Sequence, residues 1–480
     1  MKQWWQHGSL WVWFSASALL CTLLLFIALI SLIVGKGLQH HWPADLITFQ
    51  VQTAEGGRAT VMGQLIKQEP GNHYTTDNQS EIDPSLNTAQ QLLIDQGDTW
   101  FMPSQGATAR YIWLDDGNVL QRSKPADAIR LDMHDGRVLF GVLQSSDAEP
   151  AIVDTQQTAI DLPGEPWLLL HANGQEIQVD TGDVKRYHFP NSLNGLQKSL
   201  LFLKQWWWFL TEDPHHQSTA GGVFPAIFGT MVMVLLMSVI VTPFGVLAAI
   251  YLHEYAGKSW LTQVVRVSVY NLAGIPSVVM GLFGLAFFVY VLGGQLDQLF
   301  YADQLPAPTY GTPGLFWASL TLALLTLPVV IVATEEGLAQ LPMSQRLGSY
   351  ALGATQTETI WRIVAPQAAP AMMTGLILAV ARAAGEVAPL MLVGVVKSAP
   401  QLPIDGEFPY VHLERQFMHL GYHLYDVGFQ SANTEHAMSL SFAVALVLLM
   451  LIVLLNLSAF MLRQHLRRKY KLVQTSMEGV

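Results

Sequence analysis

The sequence predicts an α-helical polytopic membrane protein with six transmembrane helices and a β-rich extracytoplasmic domain inserted between helices 1 and 2. Charged residues make up 13% of the 480 positions, about half the share of roughly 25% that is usual in soluble domains. Apolar residues reach 51% and are gathered in long blocks. The long interval between the first two blocks is polar and acidic instead. The blocks predict membrane spans, and the interval predicts a separate domain.

Six blocks are long enough to cross a bilayer as helices, which takes about 20 apolar residues. Five of them contain no charged residue, and the remaining one, fifth in chain order, contains Arg382 and Glu386. The predicted spans are Leu10–Val34, Val223–Leu252, Val267–Leu292, Leu315–Ala333, Met372–Val396 and Ala437–Leu462.

The N-terminal segment, residues 1–36, is interpreted as an uncleaved transmembrane anchor. Its apolar block is longer than that of a signal peptide, and no small-residue cleavage pattern follows Val34. The single cysteine, Cys21, lies within this block. The outer domain therefore has no cysteine for disulfides and must be held together by apolar burial.

The short loops predict the orientation, because cytoplasmic loops collect Lys and Arg. With both termini inside, the inner segments carry ten such residues, and the two short outer loops carry only Lys397 and Arg415. The basic tail, residues 464–480, is then cytoplasmic, and residues 37–220 lie outside.

The outer domain, residues 37–220, holds 23 of the 36 acidic residues and 11 of the 25 basic ones. This acidity argues against nucleic acid and against anionic lipid as its partner. Alternating apolar runs such as LITFQV predict strands, and the pairs Asp116-Gly117, Asp135-Gly136 and Asn173-Gly174 predict turns. The polar stretch from Gln68 to Gln90 predicts a loop.

Three consecutive tryptophans, Trp206–Trp208, precede the second span. Two interpretations stay open. The segment is either an interfacial aromatic anchor or a buried aromatic cluster of the outer domain.

The membrane domain, residues 221–463, contains a cytoplasmic loop at residues 334–370. Gly353 is expected to end one short helix, and Glu358–Val364 to form the next before Pro366 stops it. Small side chains in this loop allow close approach of another backbone, and they include Gly348, Gly353 and Ala354. Such a helix–turn–helix suits docking into a groove of a partner, while a plain connecting loop is the alternative.

This loop resembles the conserved cytoplasmic loop of binding-protein-dependent ABC importers, whose pattern runs Glu-Ala-Ala, three residues, Gly, nine residues, Ile-x-Leu-Pro. Gly353, Ile363 and Pro366 fall at the matching spacings. The Glu-Ala-Ala positions read Leu347-Gly348-Ser349, so the carboxylate of the pattern is missing. The resemblance implies coupling to an ATPase through Gly348, Gly353, Ala354, Ile363 and Pro366.

Longer blocks are similar to the PstA-type permeases of the phosphate-specific transport system. They are HEYAGK, GIPSVVMGLFGL, LTLPVVIVATEEGL, LGATQTETIWRIVAP and ARAAGEVAPL, and the outer loop at residues 404–430 is similar to long members. The resemblance implies a type I ABC importer permease fold in the bacterial inner membrane, with inorganic phosphate as cargo. It also implies three partners: a PstC-type permease, a PstB-type ATPase dimer and a PstS-type extracytoplasmic phosphate-binding protein.

The sequence contains no G-x-x-x-x-G-K-[ST] phosphate loop. We therefore expect this chain to be a transport subunit that binds no cofactor. ATP and magnesium would be used by the partner ATPase.

Arg382 and Glu386 are expected near the middle of the fifth span, on one helix face because they are four residues apart. A charge at that depth costs roughly 2.5–3.5 kcal/mol, and such residues usually face each other or a pathway. One hypothesis is a structural ion pair. The other is a substrate pathway in which Arg382 holds phosphate oxygens and Glu386 weakens that hold, and the family resemblance supports it.

Other polar residues are expected to be structural. Glu335 and Glu336 are interpreted as the solvated end of the fourth span, and a contact with the cytoplasmic loop or with an ATPase is the alternative. The outer-loop histidines lack a carboxylate or cysteine at ligand spacing, so no metal site is expected. They are His412, His419, His423 and His436.

Other classes of function predict different sequences. A membrane sensor needs a cytoplasmic output domain, yet the longest inner segment is the 334–370 loop. A secondary transporter should show paired repeats and more titratable residues within its spans. A permease for another oxyanion, sulfate or molybdate, remains the nearest alternative.

Overall fold

The computed structural model describes residues 9–52, 57–70, 90–97, 111–143, 153–154, 167–172, 175–214, 221–257, 259–430 and 434–478. The chain divides into two compact units. One comprises Met1–His40 together with Val223–Val480, and the other comprises His41–Gly222.

Among the described residues, six helical segments are long and apolar enough to cross a membrane, which confirms the predicted six-span fold. The chain is a multi-pass membrane protein. The spanning segments are Trp11–His40, Phe224–Tyr255, Ser277–Phe300, Leu315–Ala339, Gln356–Gly385 and Ala437–His465.

The helices are numbered in chain order, and four of them continue into π-helical turns. The α-helices are α1 Ser9–His40, α2 Gly195–Thr211, α3 Phe224–Ile250, α4 Trp260–Leu272, α5 Ser277–Phe283, α6 Gly294–Phe300, α7 Leu315–Ala339, α8 Met343–Ala351, α9 Gln356–Thr359, α10 Ala365–Gly385, α11 Leu390–Val393, α12 Leu420–Tyr425 and α13 Thr434–Glu478. The π-helical turns are Tyr251–Tyr255, Gly284–Gly293, Ile360–Val364 and Asp426–Gln430.

Helix α7 forms the centre of the membrane unit and packs against α3 and α10 through glycine contacts. A Cβ added at Gly245 of α3 would lie 2.6 Å from Val330 Cγ1. A Cβ added at Gly375 of α10 would lie 2.9 Å from Ala333 Cβ. Small residues at such positions let spanning helices approach closely.

The third predicted span, Val267–Leu292, is wrong in its first half. Helix α4 ends at Leu272, and the spanning segment begins only at Ser277. The physical reason is Pro276, which lacks a backbone N–H donor and has an extended ψ of 136°. Residues 260–272 form a separate exposed helix instead.

The fifth predicted span, Met372–Val396, is also wrong, because the spanning segment is Gln356–Gly385. Pro366 does not stop the helix, contrary to the prediction. It lies in the first turn of α10, directly after the π-helical turn Ile360–Val364. The helix continues there through the π-helical turn, in which the Ala365 N–H donates to the Ile360 carbonyl five residues earlier.

The second unit is β-rich, as predicted. Its described strands form a five-stranded sheet of order β4-β3-β2-β1-β5 and a six-stranded sheet of order β10-β9-β7-β6-β11-β8. The strands are β1 Leu46–Gln52, β2 Arg58–Pro70, β3 Gln90–Asp95, β4 Tyr111–Asp115, β5 Val119–Ser123, β6 Ala128–Met133, β7 Val138–Leu143, β8 Val153–Asp154, β9 Trp167–Ala172, β10 Gln175–Asp180 and β11 Val184–His188.

The predicted turns have different outcomes. Asp135-Gly136 closes the β6–β7 hairpin, where the Met133 N–H donates to the Arg137 carbonyl at 2.8 Å. Asp116-Gly117 turns the chain, but the strands on either side of it lie at opposite edges of the five-stranded sheet. Asn173-Gly174 and residues 71–89 of the predicted polar loop lie outside the described residues.

Candidate functional site: the coupling loop and the broken fifth span

Gly353 ends helix α8, as predicted. Its φ of +86° lies in the left-handed region, which a residue without Cβ adopts at little cost. The Gly353 N–H donates to the Tyr350 carbonyl at 3.0 Å, and the Ala354 N–H donates to the Ser349 carbonyl at 3.2 Å. This pair of hydrogen bonds is the Schellman motif, so the chain reverses sharply at Gly353.

The second helix of the loop begins at Gln356, two residues earlier than predicted. Thr355 and Glu358 form a capping box. The Glu358 N–H donates to Thr355 Oγ1 at 3.3 Å, and the Thr355 N–H donates to Glu358 Oε2 at 3.0 Å. The Thr-x-x-Glu spacing carries this signal in the sequence, but the prediction overlooked it.

A buried ion pair joins the end of the second span to the loop at residues 334–370, which we call the coupling loop after its predicted role. The distance from Arg346 Nη2 to Glu254 Oε1 is 2.7 Å, and the two side chains are only 8% and 9% exposed. Arg346 also donates to the carbonyls of Leu338 and Leu341, at 3.1 and 3.0 Å. Gln356 Nε2 donates to the Glu254 carbonyl at 2.9 Å. Glu254 is thus bonded to both helices of the loop.

The sequence analysis missed this pair, because Arg346 was treated only as one of the ten Lys and Arg residues of the inner segments. The sequence carries only a weak signal for the pair. A charge of each sign stands at the end of an apolar span, but the two are 92 positions apart in the chain.

Glu335 is not a solvated helix end, contrary to the prediction. Its Oε1 accepts a hydrogen bond from Arg266 Nη2 at 3.1 Å, and its side chain is 13% exposed. Arg266 also donates to the Leu252 carbonyl at 3.1 Å. The neighbouring Glu336 is exposed, as expected.

The predicted coupling residues divide between two environments. Gly348 and Gly353 are exposed, whereas Ala354, Ile363 and Pro366 are half-buried. Five large apolar side chains on the same loop are exposed. They are Met343, Leu347, Tyr350, Leu352 and Trp361, of which Leu352 is 91% exposed.

Arg382 and Glu386 do not share a helix face, contrary to the prediction. Helix α10 ends at Gly385, so Arg382 lies in its last turn and not near the middle of a span. Glu386 has extended backbone, with φ −82° and ψ 130°. Arg382 is exposed and Glu386 half-buried. Within the described ranges neither side chain has a hydrogen-bond or ion-pair partner.

The segment that follows the helix break after Gly385 is closely packed against another span. A Cβ added at Gly281 of α5 would lie 2.5 Å from Pro389 Cα. The chain then re-forms one short turn, whose Leu390 and Val393 are fully buried. The glycine therefore lets the broken segment lie directly against the third span.

In the outer loop His412 has two carboxylate partners, which the sequence analysis did not foresee. Its Nε2 lies 3.1 Å from Asp405 Oδ1, and its Nδ1 lies 3.2 Å from Glu414 Oε1. Arg415 forms an ion pair with Asp405, and this hydrogen bond is the main cause that lowers the pKa of Asp405 to about 2. Among the described residues no group of three or more His, Cys, Asp or Glu side chains could hold a metal ion.

The other outer-loop histidines have separate surroundings. His419 is fully buried, and burial lowers its pKa to about 3. Burial also lowers the pKa of His423. The side chain of His436 lies outside the described residues.

The six spans and the helix–turn–helix between the fourth and fifth spans define a multi-pass membrane protein. The sequence profile described as "Binding-protein-dependent transport system inner membrane component" matches residues 241–472. This match lies entirely within the unit formed by Met1–His40 and Val223–Val480, and the β-rich unit is outside it.

Two proteins with similar sequences are phosphate transport permeases by name. The phosphate transport system permease protein PstA 1 of Mycobacterium tuberculosis is 34% identical over 269 residues, 56% of this chain and 78% of that protein. The permease protein PstA of Yersinia pestis is 38% identical over 36% of this chain and 53% of its own. A solved structure of the MetNI methionine ABC transporter in an inward facing conformation aligns with a TM-score of 0.39 at 16% identity, over 50% of this chain and 94% of that one.

The chain belongs to the PstA-type family of ABC importer permeases. The assignment rests on the identity to the Mycobacterium tuberculosis protein over most of its length, together with the profile match.

Proposed function

We propose that this chain is the permease subunit through which inorganic phosphate crosses the bacterial inner membrane, driven by a partner ATPase. The observation that carries the proposal is the exposed guanidinium of Arg382, which has no partner among the described residues and lies one turn before a helix break. A guanidinium offers two parallel N–H groups that match two phosphate oxygens. Relatives of this chain are named as phosphate transport permeases.

A pathway must release phosphate as well as bind it, and we assign the release to Glu386. Its half-buried carboxylate follows Arg382 by four residues, on backbone that is no longer helical. Broken helices line the sites of many transporters, because the free backbone groups at the break are tolerated only beside protein or water. A carboxylate on the same pathway disfavours tight anion binding, so phosphate is held briefly and passes on.

The coupling loop supplies the contact with the energy source. Its exposed apolar side chains around the Gly353 turn suit a groove on a PstB-type ATPase dimer, which binds ATP and magnesium. A PstC-type permease completes the pathway, and a PstS-type extracytoplasmic protein delivers phosphate. In this assembly both termini are cytoplasmic, and this chain has no ATPase activity.

The test is uptake of radiolabelled phosphate into liposomes that contain the purified complex and internal ATP. We expect uptake that requires the ATPase subunit and that excess unlabelled phosphate suppresses, while excess sulfate or molybdate does not. Uptake without the ATPase subunit would indicate a secondary transporter. Equal suppression by sulfate or molybdate would indicate a permease for another oxyanion.

A further inference from the structure

Helix α2 of the β-rich unit carries a continuous apolar stripe on its surface. The stripe consists of Leu196, Leu200, Leu203 and Trp207, which are 73%, 52%, 62% and 66% exposed. Their spacing of four, three and four residues places them on one face of the helix. Four large apolar side chains in a row on a water-facing helix are unfavourable, so this face requires an apolar cover.

Other side chains of α2 are packed within the unit. Leu201 is fully buried, and Phe209 is 4% exposed. The guanidinium of Arg186 lies over the Trp208 ring, 4.1 Å from its centroid. The three tryptophans therefore differ: Trp206 and Trp208 have protein neighbours, and Trp207 faces outward with the stripe.

Helix α2 packs against the two residues that directly follow the first spanning helix in the chain. The first spanning helix ends at His40. The next residue, His41, has its ring centroid 4.8 Å from that of Trp206 and 4.6 Å from that of Phe209. Trp42 follows, with its ring 5.6 Å from Phe202. His41 is therefore both the residue bonded directly to the end of a span and a packing partner of α2.

We propose that α2 is an interfacial membrane helix whose apolar stripe inserts into the headgroup–acyl boundary of the outer leaflet. The occupant of the stripe is therefore lipid. The exposed Lys204 lies beside the stripe on the helix surface, where its ammonium reaches phosphate headgroups while its methylenes stay in the boundary. Because the stripe itself is uncharged, the anchoring needs no anionic lipid.

The test measures the depth of a spin label on the full transporter complex in vesicles of zwitterionic phospholipid. The only cysteine is first removed by Cys21→Ala, and Leu200→Cys or Leu203→Cys is then labelled with a nitroxide. The matched control is Leu120→Cys on strand β5, because Leu120 and Leu200 are both 52% exposed. For each position, the collision rate of the nitroxide with membrane-soluble oxygen is compared with its collision rate with a water-soluble nickel chelate.

We expect labels at positions 200 and 203 to collide mainly with oxygen, and the label at position 120 mainly with the nickel chelate. Equal nickel accessibility at positions 200 and 120 would overturn the proposal, since the stripe would then face water. Low accessibility to both reagents at position 200 would also overturn it, since a protein partner would then cover the stripe. Phosphate uptake by each labelled complex shows that the assembly is intact.

Discussion

Arg346 and Glu254 form a buried ion pair, with 2.7 Å between Nη2 and Oε1, at the meeting point of the second span and the coupling loop. His253 Nδ1 lies 3.0 Å from the same carboxylate oxygen. Removing one partner of a buried pair leaves the other charge uncompensated, at a cost of about 3–5 kcal/mol. We infer that motion of the loop driven by a partner ATPase reaches the span that carries Glu254 through this pair.

Glu254→Gln should therefore uncouple the transporter. We expect phosphate uptake per ATP hydrolysed to fall, because the loop moves without the second span. Glu335→Gln is the matched control, since its partner Arg266 is 44% exposed and a surface pair contributes about 0–1 kcal/mol. The ratio of uptake to hydrolysis in proteoliposomes is the measurement. An unchanged ratio in Glu254→Gln would contradict the role of the pair.

Gly353→Ala and Gly348→Ala should differ although both positions have open space around an added Cβ. Gly353 has a φ of +86°, where an L side chain costs about 1–2 kcal/mol. Gly348 is inside helix α8, where alanine is favoured over glycine by about 1 kcal/mol. We expect Gly353→Ala to lower the thermal stability of the purified chain and Gly348→Ala to raise it. Equal stability of the two variants would contradict the strain at Gly353.

Gly348→Trp should prevent docking of the ATPase without impairing folding of the chain. The position is exposed, and an added Cβ meets no atom within 4 Å, so the chain should insert and fold normally. A bulky ring on the coupling surface should nevertheless prevent the ATPase from seating. Co-purification of the ATPase with the variant is the measurement. Retention of the ATPase at the wild-type level would show that this face is not the docking surface.

Arg382→Gln should reduce phosphate uptake by about tenfold to a hundredfold, the loss expected when a charge-assisted hydrogen bond of about 1.5–3 kcal/mol is removed. Complex yield should stay unchanged, because no described residue pairs with the guanidinium. Arg382→Lys should rescue only in part, since an ammonium lacks the planar fork.

The double variant with Glu386→Gln decides between the two hypotheses for these charges. A structural ion pair predicts that the double variant regains both yield and uptake. A pathway predicts that yield never changes and that uptake stays low. Full recovery of uptake in the double variant would rule out the pathway.

His188 should make the β-rich unit sensitive to acid. Burial, together with the charges of Arg130 and Arg186, lowers its pKa from 6.5 to about 4, against the opposing effect of Asp132. The unfolded chain then binds more protons than the folded one between these two values. Stability is complete above about pH 6.5 and falls as pH drops toward 4, by at most about 1.4 kcal/mol per pH unit.

The measurement is hydrogen-exchange protection of strands β6 and β11 in the full chain at pH 7 and pH 4.5. We expect lower protection at pH 4.5, and a smaller loss in His188→Gln, which cannot take up the proton. The same loss of protection in both proteins would assign the acid sensitivity to another group.

Local patterns were sufficient for the number of spans, the β-rich interval and the end of helix α8. Each depends on residues that are close in the chain: a run of apolar side chains, an alternation, or one glycine that accepts a left-handed φ. The capping box of Thr355 and Glu358 was equally accessible, since its signal is a three-residue spacing.

Tertiary structure alone decided how the broken end of the fifth span packs and what the charged residues contact. An apolar run shows that a segment is buried, but it does not show that the backbone of Pro389 lies against Gly281. Arg346 finds its carboxylate 92 positions earlier in the chain. These contacts form between segments that are distant in the chain, so no periodic pattern of residues in the sequence predicts them.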